Sequence, residues 1–440
     1  MRILRLFIGL TILLTFANPQ LKAESGLDVN DVAVLFPIDG LHKAVPYIPL
    51  DDSTLLPSKV FADLILRAQD LSIAAPQTSS IIKASDWNVV AFRFDPCAPQ
   101  DHGNSIEPCI SELRLVAQTR ARFSPADSSL HLIYQLKEGK PSATDDVLKD
   151  LRALKSQSET LLNTSSSGLP LGVHPLLAAA FKAKRDDVPA LYTAFIRKYA
   201  KAENLKKLTM MGLRKGTPTD WIFFGGEIVD GQWAQTPAPN VKVKPGAGVE
   251  LIIQGPNRTF EGTAIDSSLS LADFFGTAAE NLETSVPVFN TTLHTLENPS
   301  LTDRNTVDCI SCHAATSVRH STDVTFAPVV DGVSAQSPKG ITGFPAPGIL
   351  PNHPLHWNMR AFGYFGLLPT VSMRAVHEAA RSAEAINTIL NLAPVGPDCS
   401  LVHDAVMSCF FDSSIPFGTV TPTAECLASC AAKPASQQPR

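Results

Sequence analysis

Three residues in the second half of the chain have the types and spacing needed for covalent cofactor chemistry. Cys309 and Cys312 stand three positions apart and His313 follows directly, in the pattern C-x-x-C-H. On a helical turn, two thiols at this spacing can reach the two vinyl groups of one porphyrin and form thioether bonds. The adjacent imidazole can then bind the iron as its proximal ligand. The sequence therefore predicts one covalently bound haem c, with its iron held by His313.

The same residues also suit three other kinds of site. A zinc site needs further cysteine or histidine ligands at short spacing, and only the isolated His320 lies near. A thioredoxin-like redox pair should follow a strand and begin a helix, a pattern that residues 293–308 do not have. A plain disulfide would leave His313 without a role. Haem attachment is the interpretation that uses all three residues.

From about residue 286 to 395 the chain resembles the c-type cytochromes, specifically the single-haem class with the motif near the start of the domain. The resemblance rests on the C-x-x-C-H motif, a later methionine and a helix after that methionine. It implies a mainly α domain in which one helix carries the motif, a loop brings a methionine sulfur to the iron, and a last helix crosses the first. Two features depart from this pattern. Only Asn290–Glu297 is available as the family's first helix, and the chain continues well past the expected end.

The resemblance also indicates the second axial ligand of the iron. Met359 follows a proline-rich loop after the motif and is the first choice. His353 and His356 lie in the same loop and would give a bis-histidine iron of lower potential. Met373 begins the following helix, where methionine is more commonly a core residue. An empty sixth position would suit a ligand sensor or a peroxidase-like site.

The other six cysteines predict disulfides. Cys97 and Cys109 lie in the connection between two predicted strands, where a disulfide would contribute roughly 2–4 kcal/mol. Four more allow three pairings, which the sequence does not decide: Cys399, Cys409, Cys426 and Cys430. A disulfide-stapled cap over residues 396–432 is favoured over a zinc site with His403, and residues 433–440 form a disordered tail.

The N-terminus has the pattern of a secretory signal peptide. A positively charged start precedes an apolar run from Leu6 to Phe16, and residues 1–23 would be removed. The alternative is an uncut anchor helix, although the run is short for a membrane span. No cysteine precedes Cys97, which argues against a lipid-anchored lipoprotein. We therefore predict a periplasmic or secreted protein without a transmembrane span, in an oxidising compartment that suits disulfides.

Residues 24–285 are predicted to form an exported α+β domain with an antiparallel sheet. Two helices are indicated by apolar stripes, one capped by Thr144 and one over Val188–Tyr199. A third, capped by Ser372, lies in the cytochrome-like region. Alternating apolar residues or strand-like composition predict five strands: Asn88–Asp95, Glu112–Gln118, Leu130–Leu136, Trp221–Phe224 and Val249–Gln254.

No residue pattern in this first domain predicts an active site. Ser80 and Lys83 have the serine–lysine spacing of penicillin-binding enzymes, but Lys215-Gly216-Thr217 has the wrong order for the companion motif. His174, before Pro175, is interpreted as a packed histidine at a helix start. A formal charge of −5 and a pI near 6.1 argue against a nucleic-acid partner, which would require a basic surface.

These features together predict an exported cytochrome c that transfers electrons through one haem iron. An acidic chain favours a redox partner protein with a basic patch. Two alternatives stay open: a haem-containing enzyme or ligand sensor whose N-terminal domain binds a small-molecule substrate, and a non-redox binding protein with a structural haem domain. No hydrolase or transferase motif indicates an enzyme, and a single C-x-x-C-H disfavours a di-haem peroxidase.

Overall fold

The chain has 440 residues, and the fold is taken from a computed structural model. The residues that it describes are 26–41, 43–71, 73, 83–98, 110–119, 128–136, 141–166, 171–214, 217–236, 251–253, 261–262, 296–297, 299, 309, 312–313, 315, 329–330, 333–334, 360–365 and 368–392. The predicted signal peptide and the C-terminal cysteines lie outside these ranges.

A nine-stranded sheet organises the structure, and all of its strand pairs are antiparallel. The strand order is β1-β2-β3-β4-β5-β6-β8-β9, and β7 pairs with β6 beside this path. Most neighbours in the sheet are therefore also neighbours along the chain, as in a meander. The strands are β1 (Ala33–Leu35), β2 (Trp87–Ala98), β3 (Ile110–Thr119), β4 (Ser129–Gln135), β5 (Leu205–Arg214), β6 (Thr217–Val229), β7 (Gln232–Thr236), β8 (Leu251–Ile253) and β9 (Glu261–Gly262).

One face of the sheet is apolar and contributes to the main hydrophobic core. Leu113, Leu115 and Ala117 alternate along β3 on this face and are fully buried. Phe92 of β2 stacks on Phe195 of a helix, with ring centroids 5.5 Å apart. Five described helices precede or follow these strands, and all five contribute apolar side chains to the same core. They are α1 (Val29–Val32), α2 (Ser58–Asp70), α3 (Pro141–Leu162), α4 (Pro175–Lys182) and α5 (Asp187–Tyr199).

The opposite face, called here the polar face, carries charged and polar side chains on its central strands. Arg114 and Gln118 lie on this face of β3, because they alternate with the buried leucines. Arg93 of β2 lies directly opposite Arg114. His131 of β4 is on the same face, opposite Val116. Buried groups of this kind require hydrogen-bonding or ionic partners, which a covering layer can supply.

Residues from the C-terminal part of the chain form that layer. Helix α6 (Met373–Ile389) and a hairpin of β12 (Phe362–Phe365) and β13 (Leu368–Val371) pack on β2 and β3. Glu378 of α6 forms an ion pair with Arg93. Asn387, near the end of α6, exchanges two hydrogen bonds of 2.8 Å with the backbone of Leu27. Another short hairpin pairs β10 (Val329–Val330) with β11 (Val333–Ser334).

The predicted helix after Met359 is confirmed as α6. The Ser372 hydroxyl accepts a hydrogen bond of 3.2 Å from the backbone N–H of Ala375, which caps the helix as expected. Five residues of the predicted apolar stripe are buried and the sixth, Leu390, is partly buried; the five are Val376, Ala379, Ala380, Ala383 and Ile386. This stripe packs against α1 and β2, so the described part of the cytochrome-like region contacts the sheet of the first domain.

The α+β class with an antiparallel sheet is also confirmed, and each of the five predicted strands coincides with an observed strand. The prediction that Thr144 caps α3 is wrong. The helix begins at Pro141, where proline is favoured because its ring presets the helical φ. Thr144 therefore lies inside the first turn, and its hydroxyl lies 2.8 Å from that of Ser111. The mainly α character of the C-terminal domain and the stapled cap stay predictions, since most of those residues lie outside the described ranges.

Among the described residues, no helix has both the length and the apolarity needed to cross a bilayer.

Candidate haem site on the polar face of the sheet

The three residues of the C-x-x-C-H motif that carry the chemistry have helical backbone conformation. Cys309, Cys312, His313 and Ala315 are all helical, and the two cysteines and the histidine are half-buried. This is the local geometry that the attachment chemistry requires, because it brings both thiols and the imidazole to one turn. Side chains that are half-buried can reach a ligand on one side while the protein covers the other.

The His313 ring lies against the polar face of the sheet. Its centroid is 5.0 Å from that of Phe223 in β6, with the two rings at 61° in an edge-to-face arrangement. Its centroid is 6.2 Å from that of His131 in β4, with the ring planes 32° apart. His131 pairs with Thr209 of β5, and Phe223 reaches the same face from β6. The motif imidazole therefore has two aromatic neighbours from separate strands.

His131 is in its neutral form at physiological pH. Loss of hydration lowers the pKa of His131 to about 3, and the positive charges of His313, Arg114, Arg360 and Arg93 act in the same direction. A neutral imidazole keeps a lone pair on one ring nitrogen, which is the form that binds metals. The motif histidine thus faces a second potential nitrogen ligand.

Three arginines influence the charge around His131: Arg93 and Arg114 on the polar face, and Arg360 two residues before β12. Arg114 bonds Glu112 through Nε and Nη2 at 3.0 and 2.8 Å. Burial opposes the charge of Arg114, but Glu112, Asp95 and Cys312 favour it, and its pKa is raised. Because the charge of Cys312 contributes to the raised pKa of Arg114, the guanidinium interacts electrostatically with the motif.

Arg93 and Arg360 are the other two members of this arginine group. Burial and the charge of Arg114 lower the pKa of Arg93 to about 9, and its guanidinium pairs with Glu378 of α6. Arg360 is only 2% exposed. Guanidinium groups bind carboxylates with two parallel hydrogen bonds, so such a group suits an anionic ligand such as the propionates of a haem.

Helix α6 holds the chain that leads to the motif. Arg374 donates to the carbonyl of Leu296 at 3.2 Å, and Arg381 donates to the carbonyl of Pro299 at 2.7 Å. Between them, Nδ1 of His377 lies 2.8 Å from the carbonyl oxygen of Glu297. The three side chains are spaced along one face of the helix. They fix the backbone at Leu296, Glu297 and Pro299.

The structure describes only some of the residues that the sequence predicted for the site. Met359, His353 and His356 lie outside the described residues, and Met359 stays a prediction as the distal ligand. Arg360, the next residue, is close enough to lower the pKa of His131. Met373 is 1% exposed in the first turn of α6, as expected for a core residue.

The predicted disulfides are partly outside the described ranges. Cys97 takes part in a disulfide. The register pairs Ala98 with Ile110, the residues directly after Cys97 and Cys109. Cys109 itself is not among the described residues, so this pairing stays a prediction. The same holds for the four C-terminal cysteines and for His403.

His174 has the structural role that the sequence predicted. It caps α4 by accepting a hydrogen bond of 3.3 Å from the backbone N–H of Leu177. Its Nε2 lies 3.2 Å from the hydroxyl of Tyr192, and it is fully buried. Burial and the charge of Lys155 lower the pKa of His174 to about 3. The residue is therefore a neutral, packed cap.

Sequence reasoning missed His131 and the arginines as site residues. Their signal was present in the strands, since Arg93, Arg114 and His131 are polar positions within otherwise apolar runs. Period-two alternation predicts the strands but gives these three positions no role. Only the packing of distant residues on that side shows that they lie at a covered site.

No cluster of three or more His, Cys, Asp or Glu side chains placed to hold a metal ion occurs among the described residues. A c-type haem does not depend on such a cluster, because the cysteines bond the porphyrin and only one or two side chains bind the iron. The residues present fit that group: two thiols and an imidazole on one helical turn, a second neutral imidazole opposite, and cations for carboxylates. No family model, curated protein or solved structure matches the chain.

Proposed function

We propose that this protein is an exported c-type haem protein that carries electrons through one haem bonded to Cys309 and Cys312. The observation that carries the proposal is the position of the motif: Cys309, Cys312 and His313 are helical, and the His313 imidazole packs against Phe223 and His131 on the polar face. Bound haem c supplies a one-electron Fe(III)/Fe(II) couple. The protein contributes the thioether bonds, the axial nitrogen of His313 and the surroundings that set the potential.

The polar face contributes electrostatic control. The guanidinium groups of Arg93, Arg114 and Arg360 are suited to bind propionate carboxylates and keep them ionised. Phe223, 4% exposed, provides an apolar wall beside His313 and keeps water from the axial bond. Glu378 and Glu112 pair with Arg93 and Arg114, so the potential of the iron would depend on the balance of these charges.

Export follows from the sequence prediction rather than from the fold. Residues 1–23 have the features of a signal peptide, and haem attachment and disulfide formation both suit an oxidising compartment. A redox partner with a basic docking patch is proposed, because the chain carries a net charge of −5.

Production with a cytochrome c maturation system tests the proposal. The purified protein should be red, and its haem should survive acid–acetone extraction because the thioether bonds are covalent. Intact-protein mass spectrometry should show one added haem, and the iron should be reduced and reoxidised reversibly. The matched control is the double variant Cys309→Ala/Cys312→Ala, which should contain no covalent haem.

Two results would overturn the proposal. A colourless protein that binds zinc through the motif cysteines would assign the motif to a metal site. Haem that extracts freely from the wild type would show that the thiols form no thioethers. A covalent haem whose iron, as isolated, is five-coordinate and binds carbon monoxide would instead support the ligand-sensor or enzyme alternative.

A further inference from the structure

We propose that His131 is the second axial ligand of the haem iron, opposite His313. The inference rests on the proposed function, since it concerns the same haem. It assigns the distal position to a residue of the central sheet rather than to the loop that contains Met359. The juxtaposition of the two imidazoles on the polar face carries the proposal.

The distance between the two rings agrees with this role. A metal–nitrogen bond to histidine is about 2 Å long and the nitrogen lies about 1 Å from its ring centre, so two imidazoles on opposite sides of one iron have centres about 6 Å apart. The observed centroid separation of His131 and His313 is 6.2 Å. The ring planes differ by 32°, and two imidazoles on opposite sides of one iron can adopt such a relative twist.

The strand that carries His131 makes it a fixed ligand. His131 occupies the middle of β4, which is hydrogen-bonded on one side to β3 and on the other to β5. Its register neighbours are Val116 and Thr209. A side chain on a central strand paired on both edges has little backbone freedom, so its direction is set before the ligand arrives.

The surroundings of His131 also point to the haem. Arg114 lies on the neighbouring strand, two positions from Val116, on the same face. The same guanidinium is within electrostatic range of Cys312. Cations for the propionates, the attachment motif and the second imidazole are therefore grouped on one side of the sheet.

This assignment makes a prediction about redox potential. A methionine sulfur stabilises ferrous iron, so a haem with two histidine ligands has a lower potential than one with histidine and methionine. Ligation by His131 would also cross-link the motif to the sheet, which a methionine of the loop would not do. With both axial positions filled by histidine nitrogens, the haem-loaded protein should be low-spin and six-coordinate without added ligands.

The experiment compares haem-loaded His131→Ala with the wild type. Loss of the distal nitrogen should convert the ferric iron from low spin to high spin, measured by absorption and electron paramagnetic resonance, and should open the ferrous iron to carbon monoxide. Added imidazole should restore the low-spin spectrum by occupying the vacated position. His174→Asn, a buried histidine on the other side of the protein core, is the control and should keep the wild-type spectrum.

Met359→Ala separates the two assignments. With His131 as the ligand, this variant keeps a six-coordinate bis-imidazole spectrum, whereas loss of the low-spin signal in Met359→Ala and its retention in His131→Ala overturns the inference. If His131→Ala fails to fold, the near-infrared magnetic circular dichroism of wild-type ferric protein decides, because thioether and imidazole ligation give different charge-transfer bands. Thioether ligation there also overturns it. Absence of covalent haem from the wild type would contradict the proposed function instead.

Discussion

Gln118 and Tyr364 are joined by two hydrogen bonds that run in opposite directions. The Gln118 side-chain amide donates to the Tyr364 carbonyl at 2.8 Å, and the Tyr364 N–H donates to Gln118 Oε1 at 2.8 Å. The Gln118 side chain thus makes two hydrogen bonds to the backbone of β12 that a neighbouring strand would otherwise make. Tyr364 adds a third contact, since its hydroxyl donates to the Phe36 carbonyl at 2.6 Å. These bonds fix the hairpin to the polar face.

Replacement of Gln118 should loosen that hairpin. Gln118→Ala leaves the buried N–H and C=O of Tyr364 without the amide, and each unsatisfied buried group costs about 1–3 kcal/mol. We expect a lower free energy of unfolding in urea, together with faster hydrogen exchange at the Tyr364 amide. Gln69→Ala, on the exposed side of α2, is the control and should change stability by less than about 0.5 kcal/mol. Equal stability of the two variants would show that the hairpin does not depend on the Gln118 amide.

Gly363 should not tolerate a side chain. Its φ of +155° lies in the region that favours glycine, and a Cβ there would come within 2.8 Å of Gln118 Oε1. Gly363→Ala should therefore destabilise the protein by about 1–3 kcal/mol through strain and displacement of the amide. The control is Gly40→Ala, where an added Cβ meets no atom within 4 Å. Thermal unfolding of both variants tests this, and a Gly363→Ala protein as stable as Gly40→Ala would contradict the close approach.

Lys155 should be the most sensitive lysine of the first domain. Its ammonium is buried and lies 2.8 Å from Asp31, 3.6 Å from Glu159 and 4.0 Å from Asp28. Removing one partner of a buried pair leaves uncompensated charge and costs about 3–5 kcal/mol, so Lys155→Met should unfold at much lower urea concentration.

The comparison is Lys198→Met, which removes a surface pair with Asp150 at 2.6 Å. Exposed pairs of this kind contribute about 0–1 kcal/mol, so this variant should be close to the wild type. A similarly small decrease in the free energy of unfolding for both variants would mean that the charges around Lys155 are hydrated rather than buried.

His174 should make stability depend on pH. Its pKa in the folded protein is about 3, below the ordinary 6.5, so the unfolded chain binds more protons between these values. The stability contribution of neutral His174 is therefore complete above pH 6.5 and is lost as the pH falls towards 3. The slope contributed by one such group is at most about 1.4 kcal/mol per pH unit.

His174→Asn isolates this contribution. Asparagine can cap α4 but does not titrate, so the variant's unfolding free energy should fall less steeply between pH 6 and about 4 than that of the wild type. Urea unfolding across this range measures the difference in slope. Parallel curves would mean that His174 is protonated in the folded protein.

The sequence predicted individual strands and helices better than it predicted contacts between residues far apart in the chain. Alternation located β2, β3 and β4, and Ser372 with its apolar stripe located α6, because each signal lies within about ten residues. The same alternation does not indicate which residues cover Arg114 and His131.

Long-range packing supplied the missing part of the site. The partner of His313 is His131, and no spacing rule connects a residue of the C-x-x-C-H motif with one in a strand far earlier in the chain. Thr144 shows that a local signal can also mislead. Its residue type suits a helix cap, but the helix already begins at Pro141. Local rules therefore predicted the motif, whereas the covering layer and the second imidazole required the fold.

The reciprocal bonds between Leu27 and Asn387 impose an order in time on folding. A polypeptide that emerges N-terminus first cannot close this junction until residue 387 has appeared, long after Cys309 and Cys312. During that interval Glu378 of α6 cannot pair with Arg93, and this part of the polar face has no cover from α6. Helix α6 therefore takes its place against β2 and α1 only after the residues of the C-x-x-C-H motif have been synthesised.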